Sequence, residues 1–178
     1  RKEYRAIVRG VPELASDYIR THVCPHPRVR EKMMVCPEGG KSREAVTFYR
    51  TAEDFGNYAL MELHPQTGRT HQLRIHMLHI ATPIVADRMY IGQSTLTKSD
   101  VRKSAAASDR RRSLPAASIS SVANTNADAD VDSEILIARQ ALHAYRLTIR
   151  HPVSGQEIQF EAPFPEDFQR TLEFLRRT

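Results

Sequence analysis

The chain has 178 residues, of which 40% are hydrophobic, and it carries a formal net charge of +5. This length suffices for one domain with a buried core, and no apolar run approaches the roughly 18 residues of a membrane helix. The chain is therefore expected to be a soluble, cytoplasmic protein. Its positive excess lies in residues 1–50, which hold eleven Lys and Arg against six Asp and Glu. This excess predicts a nucleic-acid partner.

Alternation of apolar and polar residues predicts strands over residues 3–8, 17–23, 44–50 and 57–63, the last two paired antiparallel. Residues 24–43 contain three prolines and two glycines, which predicts a basic loop. A helix is predicted over residues 68–81, because Leu73, Met77 and Ile80 recur at helical spacing. Residues 141–150 and 156–161 are predicted strands, and acidic residues after Pro165 begin a terminal helix.

The predicted helix over residues 68–81 has a second, polar face that could meet a polyanion or a polar substrate. This face carries Arg69, Gln72, His76 and His79. Arg74 shares its side with Leu78 and therefore points toward the core. Since an unpaired buried charge is strongly unfavourable, we expect a carboxylate or phosphate partner for Arg74.

The composition changes between residues 93 and 133. Half of residues 104–133 are Ala or Ser, and none is aromatic. Such a segment has too little apolar surface to offset the entropy of ordering, so we expect residues 93–133 to be a disordered insertion. It would divide one domain into residues 1–92 and 134–178.

The two cysteines, Cys24 and Cys36, are twelve residues apart, and both lie in the predicted basic loop. In a cytoplasmic protein, such a pair is expected to remain as reduced thiols rather than form a disulfide.

A metal site is the alternative interpretation of the histidine-rich segment. The candidate ligands are His64, His71, His76, His79 and Asp87. On a helix, however, His71, His76 and His79 point in different directions, and the H-E-x-x-H pattern of zinc enzymes is absent. We therefore expect no metal.

Four sequence blocks, in a fixed order, cover nearly the whole chain outside the insertion. They are K-x-Y-x-A-x-V-x-G at residues 2–10, L-x-P-x-T-G-R-T-H-Q-x-R-x-H at 63–76, P-I-x-x-D-x-x-Y at 83–90 and R-Q-A-L-H-A at 139–144. The set resembles the RluA-type pseudouridine synthases, a family that acts on ribosomal and transfer RNA.

The chain also departs from the family pattern. The family carries its catalytic aspartate in an R-L-D-x-x-T-S-G segment, about thirty residues before the K-x-Y strand, and no Arg-Leu-Asp occurs in these 178 residues. Ala81, Thr82 and Ala86 stand where the family usually has Gly, His and Gly. Because alanine tolerates fewer backbone conformations than glycine, we expect a differently shaped loop after the helix.

The resemblance implies an α/β fold of the α+β type, with a mixed, mostly antiparallel sheet and flanking helices. It also implies an RNA uridine isomerase without cofactor or metal, which we expect to be a monomer. Two residues match the family's catalytic positions: Tyr4 would stack on the uracil, and Arg74 would hold the catalytic aspartate ionised. Since the target base must leave the stack, the pocket needs an aromatic face.

RNA contacts are expected at two places. Arg69 and His71 lie at the beginning of the predicted helix, where free amides favour phosphate. The basic loop supplies Arg28, Arg30, Lys32, Lys41 and Arg43, for which a solvated surface is an equally good interpretation.

Two classes of function remain open from the sequence. One is an RNA-modifying isomerase whose segment with the catalytic aspartate is absent from these residues, an interpretation favoured by a first residue, Arg1, that is not Met. The other is a non-catalytic RNA-binding remnant of the same family.

Overall fold

The computed structural model of the protein describes residues 1–112 and 133–178, with side chains as far as residue 107 in the first range. The strands are β1 (Lys2–Arg9), β2 (Ser16–Pro25), β3 (Met33–Cys36), β4 (Arg43–Asp54), β5 (Tyr58–Pro65), β6 (Leu96–Thr97), β7 (Ile135–Ile137), β8 (Leu142–Arg150) and β9 (Glu157–Glu161). The helices are α1 (Gln72–His79), α2 (Arg88–Ile91), α3 (Lys98–Arg112) and α4 (Glu166–Leu175).

Seven of these strands form one sheet in the order β3-β2-β4-β5-β1-β8-β9, and β6 pairs with β7 in a small second sheet. Each neighbouring pair within the described residues runs antiparallel. The predicted α+β class with a mostly antiparallel sheet is confirmed, as is the predicted pairing of the strands around residues 44–50 and 57–63.

Helices cover both faces of the large sheet. Thr47 on β4 shares a hydrogen bond with His76 of α1, so α1 lies on the face to which Thr47 points. On the opposite face, the ring of His143 lies 6.2 Å from that of Phe168 in α4, and the Tyr58 hydroxyl contacts Ser104 of α3. Side chains of successive strand residues point to opposite faces, so strands covered on both sides must be apolar throughout.

The strand β1, which lies between β5 and β8, shows this most clearly. Its residues Ala6, Ile7 and Val8 are each 0% exposed, although they point alternately to the two faces. The charged ends of β1 are more accessible, and Tyr4 lies at the transition between the buried core and the open end. This position places the Tyr4 ring at the edge of a cavity.

The segment predicted as one basic loop, residues 24–43, contains a strand. β3 pairs with β2 and divides the segment into the turn 26–32 and the connection 37–42. The same hairpin brings Cys24 and Cys36 together as a disulfide, with Cα atoms 6.2 Å apart. The expectation of reduced thiols is therefore wrong, because it did not include the hairpin that places the two cysteines on one face.

The predicted disorder of residues 93–133 is wrong for its first part. Residues 96–112 form β6 and α3, and the side chains of Leu96 and Val101 are 0% and 3% exposed in the main core. The remainder, residues 113–132, lies outside the described residues. Leu96 pairs with Ile137 of β7, which is why this segment packs on the domain.

None of the helices in the described residues is both long enough and apolar enough to span a lipid bilayer.

Candidate active site

A cavity of about 350 Å³ opens between the beginning of β1, the end of β5 and the segment that leads into α1. Tyr4 and Arg74, the two residues predicted to be catalytic, both line it. Arg69 and His71, the expected phosphate contacts beside α1, line the same cavity, as does Lys2. The structure thus brings an aromatic ring and several basic groups together around one space.

Hydrogen bonds, rather than helical structure, fix the turn over residues 67–71. The hydroxyl of Thr67 accepts from the backbone N–H of Val46 (2.9 Å) and donates to Oε1 of Gln72 (2.7 Å). The Gln72 amide donates to the Val46 carbonyl and to the Thr47 hydroxyl, at 3.0 Å each. His71 adopts a left-handed conformation (φ 55°), so the helix begins at Gln72 and not at residue 68.

The polar face expected on this helix is only partly open. Gln72 and His76 are 3% and 0% exposed, and Nδ1 and Nε2 of His76 lie 2.9 and 3.0 Å from the hydroxyls of Thr47 and Thr21. The expectation that these two side chains meet a polyanion is wrong, because α1 packs them against threonines of the sheet. Arg69 remains exposed, and its Nε donates to the Glu44 carbonyl (2.9 Å).

The buried imidazole of His76 predicts a dependence of stability on pH. Burial, with a smaller effect from His79, lowers the pKa of His76 to about 4 from 6.5. The unfolded chain therefore binds a proton between these values that the folded chain does not, so stability is complete above pH 6.5 and is lost as the pH falls toward 4. The loss should reach about 3 kcal/mol in the free energy of unfolding. Urea denaturation from pH 7 to 4 measures it, with His76→Gln as the comparison; an equal slope in that variant would contradict the assignment.

Arg74 has the carboxylate partner that its position requires, and this partner is Asp87. Nε and one terminal nitrogen of Arg74 donate to the two carboxylate oxygens of Asp87, at 2.7 and 2.6 Å. The side chains are 11% and 2% exposed, so this is a buried, bidentate ion pair. Asp87 also accepts from the backbone N–H of Tyr90 (3.3 Å), which ties α2 to the pair.

Tyr90 connects Arg74 with His71 and with β3. Its ring centroid lies 4.8 Å from Cζ of Arg74, its oxygen lies 2.9 Å from Nδ1 of His71, and that oxygen accepts from the backbone N–H of Met33 (3.0 Å). Burial raises the pKa of Tyr90. Neither Asp87 nor Tyr90 is predicted at this site from the sequence; the signal for both was their place in the P-I-x-x-D-x-x-Y block.

His71 lies in a setting that disfavours its charged form. Burial lowers its pKa, the charge of Arg74 lowers it further, and Asp87 opposes the shift. Near neutral pH, His71 is therefore a neutral imidazole whose Nδ1 is engaged with Tyr90. It can contact phosphate by donating from Nε2, but not as a cation.

The loop between α1 and α2 keeps a glycine-like backbone without glycine. Ala81 and Ala86 have φ values of 61° and 56°, in the left-handed region. The backbone at these two positions has the conformation that glycine favours, so the expected change in loop shape is not found there. Holding alanine there costs about 1 kcal/mol each, which the packing of Ile84 and Val85 in the core offsets.

The five cations of the expected RNA-binding loop fall into two groups. Arg28 and Arg30 are exposed in the turn 26–32, and Lys32 lies with its Nζ 5.8 Å from the ring centroid of Tyr90, beside the site. Lys41 and Arg43 are exposed where the chain enters β4. The two groups flank β3 instead of forming one continuous loop.

The histidines proposed as alternative metal ligands have separate partners. His76 contacts threonines, His71 contacts Tyr90, and Nε2 of His64 lies 2.7 Å from Glu62. Among the described residues, Glu3, Glu62 and His64 do bring three potential ligand atoms within 4.8 Å of one another. The arginines around these carboxylates already neutralise them, which disfavours a cation there.

A family model described as RNA pseudouridylate synthase matches residues 1–79. The chain is 40% identical over 175 residues to ribosomal large subunit pseudouridine synthase D of Xanthomonas campestris pv. campestris, covering 98% of this chain and 44% of that protein. It is 34% identical over 176 residues to an uncharacterized RNA pseudouridine synthase of Chlorobaculum parvum, covering 98% and 47%. The chain thus spans less than half the length of these relatives.

The solved structure of human RNA pseudouridylate synthase domain containing 4 has the same fold. It superposes with a TM-score of 0.64 at 22% identity, covering 98% of this chain and 62% of that chain. The sheet and its helices therefore have the pseudouridine synthase fold. Within that class, the chain is similar over nearly its whole length to RNA pseudouridine synthases, among them ribosomal large subunit pseudouridine synthase D.

Proposed function

We propose that the protein isomerises uridine to pseudouridine in RNA, acting together with a segment that supplies the catalytic aspartate. The observation that carries this proposal is the cavity that Tyr4 and Arg74 line jointly, beside the turn over residues 67–71. The reaction breaks the bond between the ribose and N1 of uracil, turns the detached base, and rejoins it through C5. It needs no cofactor, because the product is an isomer of the substrate.

The cavity supplies what a uracil displaced from an RNA strand would need. The Tyr4 ring offers an aromatic face for the base, as enzymes that act on flipped bases require. Arg74 would place positive charge beside the incoming aspartate and keep that carboxylate ionised. Asp87 has a positioning role, since its bidentate contact fixes the plane of the Arg74 guanidinium.

The cations around the cavity suit a phosphate backbone. Lys2 and Arg69 line the cavity itself, whereas Arg28, Arg30 and Lys32 lie in the adjoining turn. Such contacts position an RNA strand without selecting its sequence. We propose ribosomal RNA as the substrate, a monomer as the working form and the cytoplasm as its location. The substrate proposal is supported by the names of the relatives.

A second candidate is a non-catalytic RNA-binding protein of the same family. One observation favours it: these 178 residues contain no Arg-Leu-Asp. Under this proposal, the cavity would bind RNA without turnover, and the buried pair of Arg74 and Asp87 would serve the fold alone.

Release of tritium from RNA labelled at C5 of uridine distinguishes the two candidates, because joining C5 to the ribose displaces its hydrogen. We expect no release by the 178-residue chain, and release by a longer chain that adds an upstream R-L-D-x-x-T-S-G segment. In the longer chain, Tyr4→Leu and Arg74→Ala should abolish release, whereas Arg177→Ala, at an exposed position, should not. Turnover by the 178 residues alone, or near-normal turnover by Arg74→Ala, would contradict the assigned roles.

A further inference from the structure

A row of three aromatic side chains crosses the large sheet on the face opposite α1. Tyr18, Phe48 and His64 are direct register partners on β2, β4 and β5. Thr47 points toward α1, so its neighbour Phe48 and the two partners of Phe48 point away from it. We call these three residues the aromatic row; none of them lines the cavity at Tyr4.

The rings of the aromatic row form a continuous and accessible surface. The centroids of Tyr18 and Phe48 are 5.1 Å apart, and those of Phe48 and His64 are 5.9 Å apart. Tyr18 is 46% exposed and the His64 side chain 35%, although large aromatic side chains are usually buried. Within the described residues, α3 contacts this face at Tyr58 and α4 contacts it at His143.

Arginines flank the row on both sides. Cζ of Arg20 lies 5.3 Å from the ring centroid of Tyr18, and the side chain of Arg50, next to Phe48 on the same face, is 60% exposed. The acidic neighbour Glu62 is ionised and paired with arginines. Burial opposes its ionisation, but hydrogen bonds from Arg50, His64 and Arg5 outweigh burial and lower its pKa to about 2. Paired with Arg50 and Arg5, Glu62 adds little repulsion toward an anion.

We propose that the aromatic row, with Arg20 and Arg50, is a second RNA-binding surface that stacks unpaired bases on Tyr18 and Phe48. Exposed aromatic rings on a sheet, interleaved with arginines, are the means by which proteins hold single-stranded nucleic acid without reading its sequence. A duplex does not fit, because its bases are already stacked. The proposal rests on RNA being the substrate, and it adds a contact for an unpaired stretch of that RNA away from the cavity.

The test measures binding of a fluorescein-labelled oligocytidylate of about twelve nucleotides to the 178-residue chain, by anisotropy at low salt. This probe contains no uridine and so avoids the proposed uracil pocket. The double variant Tyr18→Leu, Phe48→Leu should weaken binding about tenfold. Tyr18→Phe keeps the ring and should bind like the wild type. Arg20→Gln with Arg50→Gln should flatten the salt dependence, by roughly 0.7 in slope per lost phosphate contact.

Several outcomes would overturn the proposal. These are an oligocytidylate affinity that is undetectable in the wild type or unchanged in the double leucine variant, and equal affinity for a duplex of the same length. A change in oligomeric state on mutation, without loss of RNA binding, would identify the row as a contact between copies and also overturn it. If the double variant does not fold, ultraviolet cross-linking of the wild-type complex decides: adducts must map to residues 16–22 or 44–50.

The proposed function fails by a different readout. Absence of isomerase activity in the longer chain, with oligocytidylate binding intact, would contradict the proposed function and leave the second surface standing. Arg28→Gln with Arg30→Gln should weaken binding to uridine-containing ribosomal RNA, and Tyr18→Phe should not alter it. If the longer chain is active as an isomerase, and the double variant Tyr18→Leu, Phe48→Leu binds oligocytidylate as the wild type does, only the proposal of a second surface is contradicted.

Discussion

Replacing Asp87 with alanine should lower the free energy of unfolding by about 3–5 kcal/mol, which corresponds to a fall of roughly 10 °C in melting temperature. The substitution leaves the guanidinium of Arg74, only 11% exposed, without the carboxylate that accepts from two of its nitrogens. It also removes the side-chain acceptor of the Tyr90 backbone N–H at the beginning of α2, which leaves the backbone carbonyl of residue 87 as its acceptor. A cation that is buried and unpaired is among the most unfavourable features in a folded protein.

Chemical denaturation with urea measures this effect, and a surface ion pair provides the control. Arg1 and Glu157 are joined at 2.7 Å, but their side chains are 78% and 62% exposed. Glu157→Ala should therefore change stability little, because exposed pairs are weak. The double variant Arg74→Met, Asp87→Leu should recover much of the loss, since it removes both charges. Equal effects of Asp87→Ala and Glu157→Ala would refute a structural role for the buried pair.

Most of the sheet could be predicted from the sequence, because its signals are local. β1, β2, β4 and β5 lie where apolar residues alternate or run together, and β8 and β9 follow the same rule on either side of a turn. β3 was missed because four residues surrounded by proline and glycine carry no alternation. Its partner β2, across the hairpin, decides that these residues become a strand, and a pairing partner is not a local property.

The insertion shows the limit of composition as evidence. Residues 104–133 are rich in Ala and Ser, and this composition predicts that little there can be buried. The error was to extend it back to residue 93. Leu96 and Val101 are two isolated apolar residues in a polar segment. Their burial depends on β7 and α4, which follow about forty and about seventy residues later in the chain.

The family pattern predicted two residues that line the cavity, but the sequence did not predict the partner of Arg74. Tyr4 and Arg74 were identified through the family pattern and do share a cavity. Helical spacing correctly gave Arg74 a place near the core, yet could not choose Asp87 as its partner. Spacing also assigned His76 to an open face, because a helix wheel does not show that a sheet offers hydroxyl partners to a polar side chain.

Joining Gly92 to Glu134 with a short linker, which removes residues 93–133, should destabilise the domain severely. The deletion takes Leu96 and Val101 out of the core and leaves β7 without its partner strand. Emptying the space of one buried leucine alone costs about 2–5 kcal/mol, a large share of the 5–15 kcal/mol by which domains are stable. We therefore expect a loss of about 4 kcal/mol or more, or no cooperative unfolding at all.

A shorter deletion, of residues 113–132 only, isolates the cause, because it keeps Leu96, Val101 and the pairing of β6 with β7. Its midpoint in thermal denaturation should exceed that of the long deletion by roughly 10 °C. The point variants Leu96→Ala and Val101→Ala, in the otherwise intact chain, should each reproduce part of the difference, and exposed Ser94→Ala should not. Coincident melting curves for the two deletions would show that β6 and α3 contribute nothing to the stability of the domain.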